Sequence, residues 1–237
     1  MIKEAQKAFF LWSNLLIMKC CYIFLLFLFP FFGEAQILDS LDIYDHKEFE
    51  NQTLKVFSDN GLIKLQVIKA NIIKVNFYKK AAPEIQEEQK ADTSVDVRIT
   101  QNLDDIFMQT DSLLVIINKL DFKIKFQTTK EQLYTINQSV SLSDSCHSFS
   151  LSTTKNEDFF KHKNRKLKQK IYKMKTLKAI YSSKKYALYF QDTYNGYVEL
   201  NNQNLQIKYY DSNALGYYFL TGSKKEVELS AKLYQKN

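Results

Sequence analysis

The sequence predicts an all-β protein, an antiparallel β-supersandwich closed by one short C-terminal helix. Apolar and polar residues alternate at period two through most of the chain, the signature of strands with one buried and one wet face. Fifteen Tyr and eighteen Phe stand against five Gly and two Pro. Aromatic residues suit a pleated, half-buried surface, and a chain this rich in them has too much apolar surface to stay disordered. Many short strands separated by turn residues, with no fixed repeat, form the layout of a sandwich.

The chain opens on a segment that reads as an export signal. Met18-Lys-Cys-Cys-Tyr-Ile-Phe-Leu-Leu-Phe-Leu-Phe-Pro-Phe-Phe-Gly-Glu-Ala-Gln36 has a basic start, an apolar run and a small-residue exit, with Gly33 and Ala35 placed for cleavage before Gln36. Residues 1–35 are therefore expected to be a signal peptide, with Met18 a second candidate initiator, and 36–237 a single β-sandwich domain. The apolar run from Cys20 to Phe32 is shorter than the ~20 residues a membrane-spanning helix needs. The expectation is an exported protein, periplasmic or extracellular, without a stable membrane anchor after cleavage. About 200 residues then remain, enough for one sizeable core. Cys146 is the cysteine left after cleavage, which rules out an internal disulfide. The net charge of +7 aids solubility and is not by itself a sign of nucleic-acid binding.

Along the mature chain, Ile63, Leu65 and Val67 alternate with Lys64, Gln66 and Ile68 after a turn at Ser58-Asp-Asn-Gly61. Ile73, Val75 and Phe77 alternate with Lys74, Asn76 and Tyr78 after a tight turn at Ala70-Asn71. Residues 81–92 are charged and carry one Pro, as in an exposed loop. Leu113 to Ile117 is continuously apolar, as in a strand covered on both faces. Leu120, Phe122, Ile124 and Phe126 alternate with Asp121, Lys123, Lys125 and Gln127. Shorter strands are expected at 133–136, 179–181, 186–190, 197–200, 205–210 and 216–220. Ser223 followed three residues later by Glu226 is a capping box, and Val227, Ala231 and Tyr234 continue at helical spacing, giving the closing helix.

The late blocks carry a resemblance. Tyr186-Ala-Leu-Tyr-Phe-Gln-Asp-Thr193, Leu205-Gln-Ile-Lys-Tyr209, Gly216-Tyr-Tyr-Phe-Leu-Thr-Gly222 and the helical tail follow one another. That order resembles the stretch closing the N-terminal β-sandwich of family 31 glycoside hydrolases, the α-glucosidase and α-xylosidase group. Tyr172 and Lys173 match the pair that precedes the family's Tyr-Gly strand. The hairpin of 61–78 and the strand at 120–126 have the family's early shape, so the resemblance runs over about residues 50–235 and is specific over 172–234. It implies a supersandwich of the type shared with galactose mutarotase-like domains, with the catalytic barrel expected directly after it. Here the sequence stops at Asn237. The departures are also plain: where the family has Gly-Leu-Gly-Glu, this chain has His147-Ser-Phe-Ser-Leu-Ser152. Neither the family's Arg-Gly nor its Asn/Asp-rich loop is matched.

No residue is assigned a catalytic role, because the resemblance places both the nucleophile and the acid on the barrel. His46, His147 and His162 are too scattered for a metal site, and no cofactor is expected. Two surfaces are candidates for binding. Tyr194 and Tyr197, with Asp192 shaping the nearby loop, are candidates for stacking on a sugar ring. Tyr209, Tyr210, Tyr217 and Tyr218 share that chemistry but fit core positions as well. The basic run from Lys161 to Lys175, with Lys163, Arg165, Lys166, Lys168 and Lys170, is a candidate for an anionic partner, or is a solvated loop with Leu167, Ile171 and Met174 turned inward. Turn requirements account for Gly196, Gly216 and Gly222. Two functions stay open. One is a non-catalytic, carbohydrate-associated domain of an α-glycosidase-like protein, truncated or split before the barrel, whose partner is a glycan or a separately encoded barrel. The other is an exported interaction sandwich using its lysine-rich segment, with nucleic acid not expected.

Overall fold

The structure is a computed structural model that describes residues 41, 43–80, 92–130, 132–143, 146–154, 156–161, 165–190, 195–201, 204–210, 214–222 and 225–226. The segments expected to form the signal peptide and the loop at 81–91 lie outside the described residues. Of the expected closing helix, Lys225 and Glu226 are described and are helical.

The described chain is almost entirely strand, arranged in two antiparallel nine-stranded sheets. In chain order the strands are β1 (Tyr44–Glu50), β2 (Thr53–Ser58), β3 (Gly61–Lys69), β4 (Ile72–Lys79), β5 (Arg98–Gln101), β6 (Asp105–Gln109), β7 (Leu114–Asn118), β8 (Ile124–Gln127), β9 (Leu133–Leu142), β10 (Cys146–Ser152), β11 (Phe159–Lys161), β12 (Arg165–Lys166), β13 (Ile171–Lys173), β14 (Ala179–Ser182), β15 (Tyr186–Tyr189), β16 (Asn195–Leu200), β17 (Asn204–Tyr210) and β18 (Ala214–Thr221). The first sheet runs β1-β2-β3-β4-β18-β15-β14-β11-β12 and the second β13-β16-β17-β10-β9-β8-β7-β6-β5. From β10 onward the chain changes sheet repeatedly, which binds the two layers into one fold.

The core lies between the sheets and follows from the alternation. Leu54, Val56, Ile63, Leu65, Val67, Ile73, Val75 and Phe77 from the first sheet meet Ile106, Met108, Val115, Ile117, Ile124 and Phe126 from the second. The Tyr-Tyr-Phe-Leu block of β18 divides by period two: Tyr217 and Phe219 enter the core, while Tyr218 and Leu220 join a smaller cluster. Phe219 stacks on Phe126 with ring centres 4.0 Å apart, and Tyr217 stacks on Phe149 at 4.6 Å. Fully buried aromatics of this size contribute more to cohesion than any other residues here.

The strands expected at 63–68, 179–181, 205–210 and 216–220 are found in place, and Ile63, Leu65 and Val67 face inward as expected. Others are corrected. β4 has no wet face: Lys74 and Asn76 are buried along with their inward neighbours. Leu114 and Ile116 of β7 are half-buried, so that strand is covered fully on one side only. The alternation at 120–126 does not begin as strand, and Leu120 is 78% exposed. The Asn118 side chain accepts hydrogen bonds from the Leu120 and Asp121 amides, and Phe122 takes a positive φ of 51°, so a turn replaces the first half of the predicted strand. Gly222 alone of the three late glycines has a positive φ. Gly196 and Gly216 serve close packing instead: a Cβ there would collide with the Lys208 carbonyl and Met174, or with the Asn76 side chain.

Candidate functional site

Of the three residues expected at a sugar-binding surface, Asp192 and Tyr194 lie outside the described residues. Tyr197 is described and sits on the outer face of the second sheet. Gly196, Val198 and Leu200 of β16 point inward, which forces Asn195, Tyr197 and Glu199 outward. Tyr197 is 37% exposed. It meets Tyr210 edge to face, with ring centres 6.0 Å apart and planes at 79°. Tyr210 is half-buried. Burial pushes its hydroxyl above the ordinary tyrosine range, with Cys146 and Tyr197 adding to the shift.

Register builds the surface around this pair. Lys173 of β13 lies directly across from Tyr197, and Tyr197 lies across from Lys208 of β17. Lys208 faces Ser148 of β10, which faces Ser141 of β9. The adjacent row reads Ile171, Glu199, Gln206, Ser150 and Ser139, with the two serine hydroxyls 2.8 Å apart. The result is an outer face on which the exposed Tyr197 stands in register between Lys173 and Lys208, with serine and glutamine positions on the strands beyond.

Tyr209, Tyr217 and Tyr218 are buried and are core residues, not sugar contacts. The Tyr209 hydroxyl donates to the Gly216 carbonyl at 2.8 Å, and burial drives the Tyr217 hydroxyl far upward.

The basic run is not one continuous patch. Lys163 lies outside the described residues. Arg165 and Lys166 form β12 at the edge of the first sheet, where Lys166 pairs with Asp158 at 2.6 Å. After Leu167 turns into the core, the chain crosses to β13 at the edge of the second sheet. In that crossing the Tyr172 hydroxyl donates to the Lys168 carbonyl and accepts from the Lys168 amide, while the Lys170 ammonium lies 5.2 Å from the Tyr172 ring centre. Leu167 and Met174 are buried as expected. Ile171 is not: it is 60% exposed, because its register partner is the outward Glu199 and it is Tyr172 that turns inward.

One polar cluster gave no sequence signal. The Glu157 side chain is fully buried, accepts from the Ser182 hydroxyl at 2.5 Å and from the Thr154 amide at 3.1 Å, and lies 3.8 Å from the Lys184 ammonium. The Tyr186 hydroxyl is pushed well above its usual range, first by burial and then by this carboxylate. The residues are separated by about thirty positions in sequence and meet only through the β14–β15 hairpin, so no local motif announces them. Their donors converge on one carboxylate, which anchors the hairpin to the segment between β10 and β11. His46 stacks on Phe57 with ring centres 4.3 Å apart, His147 is buried, and His162 lies outside the described residues. Among the described residues no group of three or more His, Cys, Asp or Glu is placed to hold a metal ion.

Comparison of the sequence with family models and with curated proteins finds no match. The fold does match solved structures. A family 31 glycoside hydrolase dextranase from Flavobacterium johnsoniae, complexed with isomaltotriose, aligns with a TM-score of 0.72 and 15% identity, over 82% of this chain and 28% of the dextranase chain. A family 31 α-xylosidase from a soil metagenome, complexed with xylose, aligns with a TM-score of 0.66 and 12% identity, over 76% of this chain and 32% of its own. A cycloalternan-forming enzyme from Listeria monocytogenes gives 0.65 and 11%, over 78% and 21%. The chain therefore has the β-sandwich fold found within these enzymes and spans less than a third of their length.

Proposed function

We propose that this protein is a non-catalytic, carbohydrate-associated sandwich domain that works beside a glycosidase barrel, in the same polypeptide or in a partner. The observation that carries this reading is the match over 82% of this chain to only 28% of a dextranase. Family 31 chemistry, as a retaining glycosidase reaction, needs two carboxylates about 5–5.5 Å apart on a rigid scaffold. The buried carboxylate of Glu157 is already committed to Ser182, Thr154 and Lys184. What the sandwich offers to a glycan is the open face around Tyr197. Export to the periplasm or beyond, as the Met18–Gln36 segment suggests, would bring that face to polysaccharide.

Two measurements test the reading. The purified chain should give no turnover of aryl α-glucosides or α-xylosides above background. In affinity electrophoresis through gels containing a panel of neutral and acidic polysaccharides, at least one should retard it. Hydrolysis that co-purifies with the chain, or no retardation by any polysaccharide, would overturn it.

A further inference from the structure

We propose that the face around Tyr197 binds an acidic polysaccharide, one bearing carboxylate or sulfate groups, and this rests on the carbohydrate-associated reading above. The argument begins with register. Residues 173, 197 and 208 are remote in sequence, yet the pairings of β13 with β16 and of β16 with β17 place Lys173, Tyr197 and Lys208 side by side in one row on the outer face. Neighbouring strands lie about 4.8 Å apart, so an ammonium-bearing side chain springs from each side of the ring at roughly that spacing.

The ring itself is prepared for a ligand. Tyr210 holds it edge-on at 6.0 Å, which restricts its rotation while 37% of Tyr197 remains exposed. A restrained aromatic face stacks on the apolar face of a pyranose at little further entropic cost. Lys173 is exposed and Lys208 half-buried, and both stand directly across from Tyr197 in register. Charge-assisted hydrogen bonds to a carboxylate or sulfate are stronger than those a neutral hydroxyl accepts, so an acidic sugar gains from both lysines. Beyond Lys208 the row continues with Ser148 and Ser141, and the next row brings Gln206 and Ser139. Those groups suit further hydroxyls of an extended chain crossing about 19 Å of sheet. Glu199 is the acid on this surface, one row away from the lysines. The exposed Lys168 and Lys170, which lead into β13, add positive charge at the same edge.

The test uses affinity electrophoresis with three probes: dextran, dextran sulfate and polygalacturonate. Dextran and dextran sulfate share a backbone, so their difference isolates the anion; polygalacturonate separates carboxylate from sulfate. The expected result is retardation by one or both acidic polymers, weak or absent retardation by dextran, and relief by moderate salt. Tyr197→Ala should weaken acidic-polymer binding by about tenfold or more. The paired change Lys173→Gln with Lys208→Gln should abolish the preference for dextran sulfate over dextran. Circular dichroism and the thermal midpoint of each variant establish that it is folded. Equal or stronger retardation by dextran overturns this inference while leaving the proposed function standing. Retardation by the acidic polymers that Tyr197→Ala leaves intact, and that polyphosphate competes away, overturns it in favour of plain charge attraction. No retardation by any of the three overturns it outright, and a wider neutral panel then decides the fate of the broader reading.

Discussion

On the outer face of the first sheet, Ile72, Tyr189, Tyr218 and Leu220 are no more than 2% exposed, and even Lys74 is only 4% exposed. On the outer face of the second sheet the corresponding row is Lys173, Tyr197, Lys208, Ser148 and Ser141, of which Lys173 and Tyr197 are exposed and the others half-buried. Both faces carry tyrosine and lysine in direct cross-strand pairs: Lys74 with Tyr218 on one, Lys208 with Tyr197 on the other. In the first pair the ammonium lies 5.6 Å from the ring centre and both groups are sealed from water. Identical residue types are therefore sealed on one face and reach the surface on the other. Burial decides which, and composition does not.

The sharpest way to break that contrast is truncation in the buried half. Phe219→Ala removes a ring stacked on Phe126 at 4.0 Å and on Tyr186 at 5.4 Å, and should cost about 3–5 kcal/mol in chemical denaturation. Tyr218→Ala, on the outer but buried face, should cost about 3 kcal/mol by the same measurement. A loss below about 1 kcal/mol would mean that this face is not sealed in solution.

The Glu157 cluster sets the next scale. Glu157→Ala removes the acceptor of the part-buried Ser182 hydroxyl and the carboxylate beside Lys184, and should cost about 1–3 kcal/mol. Glu157→Gln keeps an acceptor for Ser182 and should cost less. If the two variants unfold at the same denaturant concentration, the carboxylate's hydrogen bonds are not what hold the hairpin.

Alkaline pH tests the buried tyrosines together. Tyr186 and Tyr217 are raised in the folded state, chiefly by burial, relative to an unfolded value near 10. The folded state therefore holds protons that the unfolded chain releases above about pH 10, so stability present below that pH falls as pH rises further. Each residue contributes a slope of up to about 1.4 kcal/mol per pH unit. Tyr186→Phe and Tyr217→Phe should each flatten the decline measured between about pH 10 and 11.5. An unchanged slope in both would show that other groups govern alkaline unfolding.

Much of the scaffold was legible in the sequence because its information is local. Ile63, Leu65 and Val67 declare their facing by alternation, and the Gly216–Leu220 block declares itself as a strand. Misreadings arose where a side chain or an unusual backbone overrode the pattern. The β1–β2 hairpin raised no expectation at all, because it turns through Asn51 and Gln52, both at positive φ (49° and 60°), with no Gly to mark the turn. Leu120 sits in a good alternating pattern that the Asn118 side chain interrupts. The candidate site was legible only as Tyr197. Its row with Lys173 and Lys208 is a product of strand register between distant segments, which period and composition do not encode.

The smallest expected effect on stability is also the one that sharpens the contrast most. Tyr197→Ala removes a 37% exposed side chain that meets Tyr210 edge to face, so its cost should stay under about 1 kcal/mol. Tyr218→Ala removes the same number of atoms from the opposite layer at roughly three times that cost. Equal losses would assign Tyr197 to cohesion and remove the reason to regard its face as a binding surface. A near-neutral Tyr197→Ala leaves a large aromatic group on a polar sheet without a structural role to explain it, and polysaccharide retardation of the same variant is then the measurement that decides whether the ring serves binding.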